Sequence, residues 1–337
     1  MRPALHPRLV NGPFEDPCLY IQFLFQNHSI LFDLGDIARI SPRDVLKISH
    51  VFVSHTHMDH FVGFDRMLRL CLGRNKALNM YGPAGFLKHV EGKFSGYSWN
   101  LVAHYENSLV LNVTEIHEHR MVTRSYECKN QFIPMSPAIE KPFQAHIVEC
   151  PGWKVSAAVL DHGIPCLAFS VTERFHVNIR KDCVEAMGLR VGPWISAFKQ
   201  ALFSENDPDA IFTMDGAGPS GKATGYPLGE LRQKIAVVTP GRKITYVTDV
   251  AYNDANTEKI VNIAGNSDQL FIEAAFLETH HELAAQKYHL TAWQAGVLAA
   301  QAGVKRFTLF HHSPRYTGQE ALLNAEAREA YRRLTVS

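Results

Sequence analysis

The chain has 337 residues, of which 46% are apolar and 20% charged, the composition of an ordinary globular protein with a sizeable core. Its 34 basic and 33 acidic residues leave a formal charge of +1, which excludes an overall electrostatic pull toward nucleic acid or membrane and requires any anionic partner to meet a local patch. Cys18, Cys71, Cys128, Cys150, Cys166 and Cys183 are scattered without a CxxC pair, so nothing points to a disulfide framework or a thiolate zinc site, and reduced, partly buried thiols are expected.

The opening Met1 to Arg8 lacks the charged-then-apolar pattern of a signal peptide, and no apolar run approaches the ~18 residues of a membrane span. The expected location is cytoplasmic. From Cys18 to Phe25 and from Ser29 to Asp33 two β-rich runs flank the turn-like Gln26-Asn27-His28, a hairpin pattern. The strand Ile48 to Ser54 then delivers its end into His55. A helix is expected from Phe64 to about Leu72, followed by a strand from Leu78 to Tyr81 ending in a turn at Gly82-Pro83. Alternating patterns at 112–116, 143–148 and 155–159 predict antiparallel strands, with a polar excursion from Thr123 to Lys141. Residues 173 to 240 read as a helix-rich insertion, with helices over 179–187 and 194–202 and turn glycines from Gly216 through Gly221 to Gly225. Beyond it, 243–249 and 269–273 are buried strands ending on carboxylates. A helix from Thr291 to Ala302 with Thr291 as N-cap follows, and then a strand over 307–310 that ends on His311.

Eighteen histidines are a surplus, and most are bystanders. The exception is Ser54-His55-Thr56-His57-Met58-Asp59-His60. Side chains alternate in direction along a strand, so a turn just past a strand end is needed to aim neighbouring residues at one point. His55 and His57 can face one cation, and Asp59 and His60 a second beside it. Three further strand ends supply the remaining donors: His162, Asp249 and His311. The expected sets are His55, His57 and His162 for one metal and Asp59, His60 and His311 for the other, with Asp249 bridging because a carboxylate has two oxygens. Imidazole and carboxylate suit zinc, manganese or iron, and two such ions ~3.5–4 Å apart ionise a bridging water for hydrolysis. Asp59 is positioned to take that water's proton. His117-Glu118-His119, His280, His281 and His312 are read as bystanders, the first group lacking a partner carboxylate.

The run His55-x-His57-x-Asp59-His60 resembles the defining motif of the metallo-β-lactamase superfamily. Asp161-His162-Gly-Ile-Pro, Glu273-Ala-Ala-Phe276, His289-Leu-Thr291 and Leu309-Phe-His311-His-Ser313-Pro-Arg315-Tyr316 are similar, in order and spacing, to the ribonuclease Z (tRNase Z) branch. The Gly-rich opening motif of that branch is replaced by Asn11-Gly-Pro-Phe-Glu-Asp16, and its usual Gly before the bridging carboxylate is Thr248. The resemblance implies that His289 assists at the scissile phosphate and that Ser313 and Arg315 contact phosphate oxygens. It implies cleavage of precursor tRNA 3′ ends, and a possible homodimer in which Met187 to Pro193 belongs to an RNA-gripping arm.

The expected fold is a single α/β domain over residues 1–337, an αββα metallo-β-lactamase sandwich with residues 173–240 as the insertion, either arm or active-site cap. The expected activity is phosphodiester hydrolysis of precursor tRNA. A small-molecule phosphodiesterase, sulfatase or lactonase is the alternative, and a noncatalytic RNA-binding relative the third reading.

Overall fold

The computed structural model describes residues 5–24, 27–204, 207–214, 217–218 and 223–335. Phe25 and Gln26 of the expected hairpin, and Gly216 and Gly221 of the Gly-rich run, lie outside the described residues. The chain divides into two compact units. The first comprises Met1–Ile147, Val155–Val171 and Lys243–Ser337, and the second Val148–Lys154 and Thr172–Arg242.

The first unit is built on two sheets. One has eight strands whose spatial order follows the sequence: Leu5–Leu9, Leu19–Phe23, His28–Phe32, Ile48–Phe52, Lys76–Pro83, Leu109–Ile116, Arg120–Glu127 and Ile139–Pro142. The four strands from His28–Phe32 to Leu109–Ile116 run parallel, and the rest pair antiparallel. The other sheet has the order Phe307–Phe310, Gln269–Glu273, Lys243–Val247, Pro165–Glu173, Trp153–Asp161 and His146–Cys150, its first three strands parallel. Aromatic rings seal the sheets face to face: Phe32 stacks on Phe169 at 5.6 Å and on Tyr246 at 5.8 Å. Because the parallel strands of each sheet end at one edge, Asp33 and Ser54 follow strand ends in one sheet, and Asp249, Glu273 and His311 lie at or just past strand ends in the other.

Helices close both outer faces. Phe64–Cys71 and Phe86–Ser95 bury Phe64, Met67, Phe86 and Val90 in the same core cluster as Val51, Met80 and Val113. Asp254–Ala264, Ala292–Gln301 and Glu320–Thr335 do the same for the second sheet. Thr291 caps its helix through a full capping box with Gln294. Gly296 lets the last two of these helices touch closely, since a Cβ there would lie 2.2 Å from the Ala327 carbonyl oxygen. The metallo-β-lactamase sandwich expected from the sequence is therefore the architecture of this unit.

Three local expectations are corrected. The polar excursion at 123–141 begins and ends in strand, at 123–127 and 139–141, because polar side chains there find cross-strand partners: Thr114 and Thr123 hydroxyls lie 2.9 Å apart, and the Ser125 hydroxyl donates to Asn112 at 2.7 Å. Gly82-Pro83 is inside a strand rather than a turn; glycine is needed there because a Cβ would lie 2.3 Å from the Phe86 ring. Gly225 likewise sits in the strand Thr224–Pro227, not in a turn.

The second unit carries the helices Lys181–Ala186, Trp194–Ser204 and Leu228–Ile235, but also two small antiparallel sheets that the helix-rich reading missed. Phe175–Ile179 pairs with Ala236–Pro240, and Ile211–Met214 with Thr224–Pro227. Each strand is only four or five residues long, too short for its alternation to stand out. Val184, Trp194, Phe198, Leu231 and Ile235 give this unit its own core.

Candidate metal centre

Past the strand Ile48–Phe52 the chain turns sharply and enters the one-turn helix Met58–Phe61, with His57 as its extended N-cap residue. That turn aims His55, His57, Asp59 and His60 toward the edge where the second sheet's strand ends arrive. The Asp249 carboxylate, only 2% exposed, stands at the middle. Its Oδ2 lies 3.6 Å from His55 Nε2, 3.5 Å from His162 Nε2 and 3.4 Å from His60 Nε2. Its Oδ1 lies 3.2 Å from His311 Nδ1. Asp59 Oδ2 faces His60 Nε2 at 3.3 Å and His311 Nε2 at 3.1 Å. The seven expected ligands thus meet in two groups that share Asp249: His55, His57 and His162 on one side, Asp59, His60 and His311 on the other.

This donor set fits divalent cations. Two buried imidazole nitrogens, His60 Nε2 and His311 Nδ1, point at carboxylates without making a hydrogen bond, the condition of a ligand atom awaiting a cation rather than of a satisfied core histidine. Burial drives the His55 imidazole down to about 2, so it stays neutral, the form that ligates metal. Burial alone would raise the Asp249 and Asp59 carboxyls. The surrounding histidines, His311 and His60 above all, instead hold both well below the ordinary carboxylate range and keep them charged.

Two of the imidazoles are aimed by a bond at the other ring nitrogen. His60 Nδ1 donates to Asp33 at 2.8 Å, and His162 Nδ1 donates to the Tyr288 carbonyl at 2.8 Å. Asp33 is fully buried and also accepts from Ser54 N at 2.6 Å, Ser54 Oγ at 2.9 Å and the Tyr246 hydroxyl at 2.8 Å. Both Asp33 and His311 adopt φ of +58°, a left-handed backbone that non-glycine residues keep only where their surroundings enforce it.

His289 sits beside this cluster. Its Nδ1 bonds the buried Glu273 carboxylate at 3.0 Å; burial opposes protonation, but Glu273 and Asp249 push the imidazole up to about 9. Glu273 also accepts the Val250 amide at 2.8 Å, which ties it to the turn carrying Asp249. Asp33 and Glu273 are the site residues to which the sequence reading gave no role. Position at a strand end was the available signal, and their partners are too distant in sequence to read.

The cluster opens into a cleft of about 260 Å³ lined by Asp59, His289, His311 and Ser313 on the metal side and by Phe14, Glu15 and Asp16 from the segment that replaces the Gly-rich motif. The Ser313 hydroxyl accepts the Arg315 amide at 3.4 Å and keeps its own proton to donate. Arg315 is exposed and is not among the residues lining that cleft. His312 is turned to the Ala274 carbonyl at 2.7 Å, and His280 to the Tyr316 hydroxyl at 2.7 Å. His117, expected to lack a carboxylate, has Glu115 at 2.8 Å, because the two lie two positions apart at the end of a strand and so share a face. None of the six cysteines forms a disulfide.

A family profile described as the beta-lactamase superfamily domain matches residues 31–183. A ribonuclease Z from Thermobifida fusca is 30% identical over 308 residues, covering 88% of this chain and 78% of that one. A ribonuclease Z from Deinococcus radiodurans is 27% identical over 290 residues, covering 85% and 83%. Among solved structures, the short form of human tRNase Z aligns with a TM-score of 0.52 at 16% identity over 93% of each chain. The metallo-beta-lactamase fold protein YhfI of Bacillus subtilis aligns with a TM-score of 0.54 at 15% identity, over 97% of this chain and 94% of that one. These two share the fold. The extent and level of the sequence match go further: the chain belongs to the ribonuclease Z family of the metallo-β-lactamase superfamily.

Proposed function

We propose that this chain is a metal-dependent phosphodiesterase that cuts precursor tRNA at its 3′ end. The observation that carries the reading is the convergence of His55, His57 and His162, and of His60 and His311 with Asp59 between them, around one buried carboxylate, Asp249, at the edge of a family-typical sandwich. The ribonuclease Z relatives supply the substrate class. Two divalent ions held by these groups, zinc first with manganese or iron also suited to the donors, would supply Lewis acidity toward the scissile phosphate and toward the attacking water.

The chain's own groups divide the remaining work. Asp59 is charged and 42% exposed at its side chain, so it is the carboxylate placed to accept the proton of the attacking water. His289, kept protonated by the Glu273 carboxylate beside it, serves to give a proton to the leaving oxygen. Ser313, at the cleft wall, orients a phosphate oxygen, and Arg315 contributes charge from outside the cleft lining. The second unit, with Gly192 and Pro193 between two of its helices, acts as an RNA-gripping arm, and the enzyme works as a homodimer. Phe14, Glu15 and Asp16 in place of a glycine-rich segment narrow the cleft, which favours a small diester as the second reading.

Labelled precursor tRNA and bis(p-nitrophenyl) phosphate are offered side by side to zinc- or manganese-loaded protein and to its His57→Ala variant. Cutting at the 3′ boundary of the tRNA body, lost in the variant, is expected. Turnover of the small ester with the RNA left intact would replace tRNA by a small diester and make the second unit a cap.

A further inference from the structure

The helix His281–Gln286 ends at Lys287, and the next residue, Tyr288, takes a left-handed backbone with φ of +58°. That single turn has three consequences. It brings Lys287 and His289, two positions apart, onto the same cleft. It presents the Tyr288 carbonyl to His162 Nδ1 at 2.8 Å. It packs the Tyr288 ring against Gly163, where a Cβ would lie 3.0 Å from the ring. A non-glycine residue keeps this backbone only where its neighbours enforce it, so the backbone that carries Lys287 is tied to the site through Tyr288 and His162.

Among the residues lining the cleft Lys287 is the one whose side chain carries a fixed positive charge. Its ammonium has no ion pair or hydrogen bond among the described residues. Of the cleft's three acids two are engaged otherwise, and the third, Asp16, forms no ion pair with Lys287. Glu15 is paired with Arg39 through two short bonds, one of them 2.7 Å, and Asp59 is held by His60 and His311. An ammonium at the mouth of a metal cleft, bound to none of the acids beside it, is arranged for an anion that arrives with the substrate. Its compact point charge suits a phosphate oxygen. We infer that Lys287 is a phosphate-binding residue of this cleft and grips a substrate phosphate that neighbours the scissile one. The inference rests on the phosphodiesterase reading given above and adds to it the cation that selects a chain of phosphates over an isolated diester.

The test is a ratio. For wild type, Lys287→Ala and Lys287→Arg, kcat/KM is measured on precursor tRNA, which offers neighbouring phosphates, and on bis(p-nitrophenyl) phosphate, which offers one. In K287A the ratio of the two is expected to fall roughly tenfold, the weight of one charge-assisted contact at a half-open site. K287R should restore most of it. The slope of log kcat/KM for RNA against log salt should become shallower by about 0.7 to 1, one phosphate contact fewer. A ratio in K287A within twofold of wild type, with the salt slope unchanged, would overturn the assignment. Wild-type protein that leaves precursor tRNA uncut while hydrolysing the small ester would sink the tRNA reading alone. A 5′-phosphorylated dinucleotide and its unphosphorylated counterpart then carry the same ratio, with loss of the preference in K287A expected and a retained preference contradicting it.

Discussion

Replacing Asp33 with asparagine tests whether the metal centre depends on a residue that touches no candidate cation. The substitution keeps the side chain's shape, and asparagine tolerates the φ of +58° that this position requires, so the change falls on charge and hydrogen bonding. In the native site Oδ2 accepts from Ser54 Oγ, His60 Nδ1 and the Tyr246 hydroxyl at 2.8 to 2.9 Å, and Oδ1 accepts from Ser54 N at 2.6 Å. With an amide, one orientation sets an NH2 against the Ser54 N–H, and the other sets it against three donors. Either leaves at least one buried donor unsatisfied, a cost of about 1–3 kcal/mol, while the bonds that survive lose their charge assistance. The sum is about 3–5 kcal/mol of stability. Freed from Asp33, His60 also loses the bond that fixes its ring, and metal affinity on the Asp59 side should fall by about 10- to 100-fold. Urea denaturation of the apoprotein reads the first quantity and chelator competition the second. A D33N protein within 0.5 kcal/mol and twofold of wild type, thresholds set at about the scatter of surface substitutions, would refute the reasoning.

Three further outcomes follow from the geometry. If the His289 imidazolium donates to the leaving oxygen, kcat falls as pH rises through about 9, where the imidazolium loses its proton. His289→Gln should lower kcat by about 10²- to 10⁴-fold and abolish that alkaline limb, and a limb that survives assigns the proton elsewhere. Burial depresses both His28 and His50 to about 4, so each stays neutral in the fold after its unfolded counterpart has taken a proton. Stability should therefore decline as pH falls from about 6.5 toward 4; His50→Asn should recover about 2–3 kcal/mol of that decline in urea melts at pH 4.5 relative to pH 7.5, and parallel pH profiles for the two proteins would contradict it. Gly296→Ala sets a methyl 2.2 Å from the Ala327 carbonyl oxygen and should cost about 1–3 kcal/mol, read as a lowered Tm; a Tm equal to wild type would mean that the two helices separate without penalty.

The clustering of the candidate ligands was legible because its signal is local. His55, His57, Asp59 and His60 crowd into six residues at a strand end, and Asp249 and His311 each close a continuous apolar run, the pattern of a parallel strand buried on both faces. Asp33 and Glu273 also end strands. Their meaning, however, depends on contacts with His60, 27 residues on, with Tyr246, 213 residues on, and with His289, 16 residues on, which no periodicity encodes. Tyr288 illustrates a second limit. Its left-handed turn, which sets Lys287, His289 and the carbonyl behind His162, has no glycine or asparagine to announce it. The strand Arg120–Glu127 was hidden for a third reason: its polar residues are satisfied across the sheet by Asn112 and Thr114, so composition alone reads it as loop.

The central claim is that phosphodiester cleavage requires metal gathered around Asp249. The most direct measurement adds zinc or manganese stepwise to apoprotein and follows bound metal and precursor-tRNA cleavage in the same samples, for wild type and Asp249→Ala. Cleavage that rises with bound metal and saturates at about two ions per chain, with D249A binding less metal and cutting nothing, is the outcome expected of a dinuclear site. Cleavage by thoroughly chelated wild type, or by D249A at the wild-type rate, would contradict the account.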